Sequence, residues 1–147
     1  MSKMRLSRIA IGLSLAILLT TAARADDQEV VDYREHIMKT MGEQAASLNM
    51  ILQQKAPAEN FAVHARILAV TAATAKKAFE PKVQGGNAKP EVWANWSDFA
   101  QKLDALTAAT ADFAKLAQSG GAAAAGPKLQ ATLTCKGCHD TYRVPKK

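Results

Sequence analysis

The chain has only two cysteines and three histidines among its 147 residues, and that scarcity removes several readings at once. Both thiols sit in the single run Cys135-Lys136-Gly137-Cys138-His139. A structural zinc site wants four ligands. Beyond that run only His36 and His64 remain, far away in sequence and with no second cysteine pair. A disulfide joining residues three apart would close too small a loop to stabilise much. A dithiol redox pair belongs in a βαβ setting, and alternating β-branched strand patterns are missing here.

A membrane-spanning run and a one-signed charge are also missing. The apolar run Ile9 to Leu19 covers 11 residues, short of the roughly 20 that cross a bilayer. It follows basic Lys3, Arg5 and Arg8 and precedes Ala23-Arg24-Ala25, which is the layout of a cleavable export leader over residues 1–25. Cutting before Asp26 removes those three residues and Arg24 but no acid, so the net charge falls from +6 to +2. The high pI is therefore a property of the leader. With neither a basic stripe nor a recognition motif, nucleic-acid binding is excluded. Residues 26–147 make one domain with a single core, and no membrane span is expected once the leader is gone.

What is present is helical period. Alanine is abundant and apolar residues recur at steps of three and four, so the fold class is all-α, an antiparallel four-helix bundle. A first helix should start near Asp26 or Asp27 and run to about Gln54, with Pro57 marking the break. A second spans about Glu59 to Ala78, before a loop from Pro81 to Pro90 that contains Gly85-Gly86. A third continues from Glu91 to about Gln118 and stops at Gly120-Gly121, its stripe being Val92, Trp96, Phe99, Leu103, Leu106, Thr110, Phe113 and Ala117. Pro127 opens a fourth, which carries the cysteine run and ends before Pro145.

Two thiols at CxxC spacing can each add across a haem vinyl group, and the histidine that follows can turn its imidazole onto the iron. Cys135, Cys138 and His139 would share one face of the fourth helix. One covalent haem c is therefore the expected cofactor. In bacteria such attachment takes place outside the cytoplasmic membrane, which agrees with the leader and favours the periplasm.

The first helix presents Val31, Arg34, Met38, Met41, Ala45, Leu48 and Leu52 as a seam with one charge in it. Arg34 must either snorkel out or meet an anion inside, since an unpaired guanidinium would be costly there. A haem propionate is such an anion. Met38 lies one turn further along, where a thioether could reach the iron. Met41 and Met50 are read as core filler. His64, between Phe61 and Leu68, is read as a satisfied or partly exposed histidine, and His36, flanked by Asp32 and Thr40, as a solvated one.

The segments Tyr33-Arg34-Glu35-His36-Ile37-Met38, Ala78-Phe79-Glu80-Pro81 and Lys89-Pro90-Glu91-Val92-Trp93, with the terminal CKGCHDTYR, together resemble class II cytochromes c, the cytochrome c-prime family. The resemblance implies thioethers at Cys135 and Cys138, a proximal ligand at His139, and Arg34 and Arg143 near the propionates. It also implies a bundle that is commonly dimeric. Members differ on the distal face. Some leave the iron five-coordinate and high-spin, open to nitric oxide or carbon monoxide, while others place a methionine on it. Met38 matches that methionine, so the chain looks like the low-spin branch.

The functional expectation is a periplasmic one-electron carrier rather than an enzyme, its iron held by His139 and Met38 and its partners other redox proteins. Thioether ligation would favour the ferrous state, and burial of the macrocycle near Phe79, Met41 and the third-helix aromatics would act the same way. The rival is a five-coordinate cytochrome that binds nitric oxide or carbon monoxide, with Met38 as packing. A third reading is a helical interaction protein with no cofactor. Mass spectrometry of protein matured in a host able to attach haem separates that last case from the others: a haem adduct should survive acid extraction, and its absence would leave only the cofactor-free reading.

Overall fold

The structure, a computed structural model, describes residues 25–145. The expected leader therefore lies outside the described residues except for Ala25. The first long helix, α1 (Asp27–Leu52), begins on a capping box. The Asp26 carboxylate accepts the Glu29 N–H at 2.8 Å, and the Asp26 N–H donates to the Glu29 carboxylate at 2.9 Å. Two of the first turn's orphan donors are satisfied this way. A 3-10 turn at Ala58–Asn60 leads into α2 (Phe61–Phe79).

The remaining helical chain is more broken than its periodicity suggests. The expected third helix is divided into α3 (Glu91–Ala94) and α4 (Trp96–Ala125) by Asn95, at φ −115° and ψ 42°. The Asn95 backbone serves both pieces, its N–H donating to the Glu91 carbonyl at 2.9 Å and its carbonyl accepting the Phe99 N–H at 3.1 Å. The Trp93 indole N–H donates to the Phe79 carbonyl at 2.9 Å, which turns α3 onto the end of α2. Farther on, Gly121 at φ 60° and ψ −155° interrupts α4 where the double glycine implied a stop. The expected fourth helix is also two pieces, α5 (Leu129–Thr132) and α6 (Cys135–Tyr142). The Thr132 hydroxyl donates back to the Lys128 carbonyl, and the Thr134 N–H turns to the Thr132 carbonyl, so the ladder stops just ahead of the cysteine run.

These pieces form the four-helix bundle, with α5 and α6 together as its fourth limb. Helix α2 is its spine, packed along both α1 and α4. Its inward face is alanine-rich, with Ala65, Ala72, Ala75 and Ala78 all buried, and the small side chains let neighbouring backbones approach. The Thr107 hydroxyl of α4 reaches the Ala72 carbonyl of α2 at 3.2 Å. The α4 stripe is confirmed: Phe99, Leu103, Thr110, Phe113 and Ala117 are buried, with Val92 beside them on α3. Phe113 meets Phe61 with ring centroids 5.9 Å apart.

Two expectations for α1 need correction. Met50 is not core filler, being 48% exposed, because it falls between Leu48 and Ile51 on the outward side. The seam also ends on Ile51, at 4%, and not on Leu52, at 38%. Ile51 stands one turn beyond Leu48 on the face that Leu48 buries, while Leu52 lies over Gly126. Among the described residues no helix is long and apolar enough to cross a membrane.

Phe113 lies toward the far end of the bundle from the cysteine run. Phe113→Ala should cost about 3–5 kcal/mol, read by chemical denaturation, while the visible spectrum of the folded holoprotein stays as in wild type.

Candidate haem-binding site

Helices α1, α4 and α6 leave between them a cavity of about 930 Å³. Cys135, Cys138 and His139 of α6 line it, as do Met38, Met41 and Gly42 of α1 and Phe99, Leu103 and Leu106 of α4. Phe79 closes it from the end of α2, and Arg34 and Arg143 both reach its wall. Every residue expected at the site is therefore brought to one cavity. His36 sits at its rim with an exposed side chain. His64 is elsewhere: its Nδ1 lies 2.8 Å from the Gln44 amide oxygen, so α1 satisfies it, in line with the sequence reading.

The donor set fits a covalently attached haem. Both cysteines are free thiols, Cys135 exposed and Cys138 half-buried. Before attachment, burial pushes the Cys138 thiol up from its ordinary value, against the opposing pull of Lys102. Among the described residues no group of three histidine, cysteine or acidic side chains is placed to hold a metal ion. The cavity is large, its wall is mostly apolar, and two thiols and an imidazole stand on one side of it. Those are the requirements of a macrocycle fastened at one edge.

Arg34 does not take the first of the two courses open to it in sequence: it does not snorkel, being only 1% exposed. It donates to the Val83 carbonyl at 2.6 Å and the Gly85 carbonyl at 2.7 Å. Its guanidinium also lies 5.7 Å from the Phe79 ring centroid and 5.0 Å from that of Trp93, where the ring faces attract a cation. Burial pushes the guanidinium below its ordinary value, and the adjacent Glu35 carboxylate pushes back.

The Pro81 to Pro90 loop that receives Arg34 also holds α6. The Lys89 N–H donates to the Tyr142 carbonyl at 3.0 Å and the Val144 N–H to the Asn87 carbonyl at 2.9 Å, giving an isolated antiparallel bridge between Ala88 and Arg143. Gly85 and Gly86 have φ of +132° and +57°. A Cβ on Gly86 would press to 2.9 Å from Val31 and collide with the Glu35 carboxylate. The loop can lie on α1 only because both positions are glycine.

Sequence reasoning missed a second fastening. The Tyr142 hydroxyl donates to the Asp98 carboxylate of α4, and its ring meets Phe99 edge-on at 5.0 Å. The signal was Tyr142 itself, three residues after His139 on the same helix. That hydrogen bond holds the Asp98 carboxyl below the usual carboxylate range, helped by the Lys102 charge and opposed by desolvation. It pushes the Tyr142 hydroxyl up to about 12, together with its burial.

A raised tyrosine pKa contributes stability that is complete below the ordinary value of about 10 and is lost as pH climbs through the folded value of about 12. In a Tyr33→Phe background, NMR of the labelled ring should place tyrosinate formation near pH 12, and Asp98→Asn should lower that midpoint. An unchanged midpoint in Asp98→Asn would remove the carboxylate as the cause.

A family model described as Cytochrome C' matches residues 29–143. The chain is 31% identical over 147 residues to a cytochrome c' of Rhodospirillum rubrum, an alignment covering 95% of this chain and 99% of the relative. It is 33% identical over 150 residues to a cytochrome c-556 of Agrobacterium fabrum, covering 97% and 99%. Among solved structures, the nitric oxide complex of a variant of cytochrome c prime from Alcaligenes xylosoxidans superposes with a TM-score of 0.71 at 27% identity. That match covers 84% of this chain and all of the other.

Proposed function

The chain belongs to the cytochrome c' family, and on that premise we propose that it is an exported cytochrome whose iron takes a small diatomic ligand, such as nitric oxide, on the side facing α1. As in its family, one haem c is covalently bound. That group supplies an iron able to change oxidation state and accept an axial ligand. The chain's own residues do the rest. Cys135 and Cys138 hold the macrocycle by thioethers and His139 is the proximal ligand, while Phe79 and Phe99 exclude water from its edge. Arg34 and Arg143 are the candidates for the propionates, Arg34 keeping three of its five N–H donors beyond the two given to the loop.

The observation that carries this reading is the likeness, over 84% of this chain and all of the other, to a variant of cytochrome c prime solved with nitric oxide. The wall opposite the cysteines supports it. Met38 is partly buried and packed against the hydrophobic core, the usual role of a flexible thioether. The next turn brings Gly42 and Ala45 to the cavity, side chains too small to reach an iron. This replaces the expectation that Met38 fills the sixth position. That expectation survives as the second reading, a His139/Met38 electron carrier, because Met38 does line the cavity.

Export to the periplasm is part of the proposal. Asp26, the residue after the expected cleavage point, caps α1 and is the first of the described residues with a structural task. The mature protein should begin at Asp26 by N-terminal sequencing of the periplasmic fraction.

The ferric protein should be high-spin as isolated, carbon monoxide should shift the ferrous spectrum, and Met38→Ala should leave the spin state unchanged. A low-spin ferric spectrum that becomes high-spin in Met38→Ala would sink this reading and give the protein the carrier role.

A further inference from the structure

We propose that Glu35 and Asn87 are positioning residues for the iron, setting the gap between α1 and the helix that carries His139. The inference rests on the reading above, in which His139 holds the iron and ligands arrive on the α1 side. Glu35 does not act as a surface charge. Its Oε1 accepts both the backbone N–H and the side-chain N–H of Asn87, each at 2.9 Å. The Asn87 carbonyl in turn accepts the Val144 N–H at 2.9 Å, and the Arg143 N–H donates to the His139 carbonyl at 3.1 Å. Three links in series, the first of them doubled, thus run from α1 through Asn87 and the Arg143-Val144 backbone to the carbonyl of the proximal histidine.

This route matters because the two walls it joins have little else between them. Helix α6 packs on α3 and α4, and α1 packs on α2, so the cavity separates α1 from α6. Glu35 lies on α1 three residues before Met38, and both line the cavity. Lengthening the Glu35–Asn87 link lets that turn of α1 move relative to His139, which changes the clearance over the iron. Outer groups that orient a metal ligand typically change affinity or activity by about 10–100-fold when removed. Arg34 grips the same loop at Val83 and Gly85, so it holds the loop down while Glu35 fixes its reach toward α6.

The test uses the haem-loaded protein with Glu35→Ala, and with Glu35→Gln, which keeps an oxygen acceptor. Glu35→Ala should change the carbon monoxide association rate of the ferrous protein by about tenfold and speed hydrogen exchange at the Val144 amide, and Glu35→Gln should stay near wild type in both. If Glu35→Ala fails to accumulate as holoprotein, Asn87→Ala, which removes only the side-chain amide, is scored in the same way. Faster exchange at Val144 with an unchanged association rate overturns the proposal, because the link would then exist without reaching the iron. If the wild type is low-spin and refuses carbon monoxide, the open-site reading fails separately. The positioning role is then read from the ferric spectrum, where a larger high-spin fraction in Glu35→Ala supports it and an unchanged fraction overturns it.

Discussion

The buried Arg34 guanidinium is the constraint around which the haem end of this bundle is organised. A cation taken out of water needs donors satisfied and charge compensated, and here two loop carbonyls and two aromatic faces supply both. Removing the partners of a buried charge is far more damaging than the pair itself is stabilising. The loop from Pro81 to Pro90 is therefore obliged to lie on α1, and because it also bridges to Arg143, it brings the end of α6 with it. One desolvated side chain on the first helix thereby decides where the last helix sits.

How much of this was legible in the sequence follows from how local each feature is. The CxxCH run could be read because its chemistry lies within five residues. The seams of α1 and α4 could be read because periodicity reports burial directly. Both mid-helix breaks were missed: the Asn95 break depends on the distant Phe79 carbonyl, and the α5–α6 break on hydroxyl and amide contacts that apolar spacing does not record. Arg34 was flagged as anomalous, yet its actual partners lie 49 and 51 residues away, beyond any spacing rule. The same is true of Tyr142 and Asp98, 44 residues apart.

The role of Met38 shows a different kind of limit. Sequence places it on the right helix face and the fold places it on the cavity wall, but a ligand and a packing residue differ by a small displacement of one sulfur. Gas binding and electron transfer can share the same attachment run, the same proximal imidazole and the same apolar walls. They part at a single contact across the cavity. The chain's relatives carry two names, cytochrome c' in one case and cytochrome c-556 in another.

The alanine face of α2 is the part of this scaffold least open to change. Close backbone approach to α1 and α4 leaves no room there for a larger side chain, and tightly packed interiors resist added volume. The cavity side of α1 faces the haem's place and not a neighbouring backbone, so a side chain growing or shrinking there changes what stands over the iron. Evolution is thus left with a frozen spine and one editable wall, so this architecture can diversify its chemistry by point changes on a single helix without renegotiating its fold.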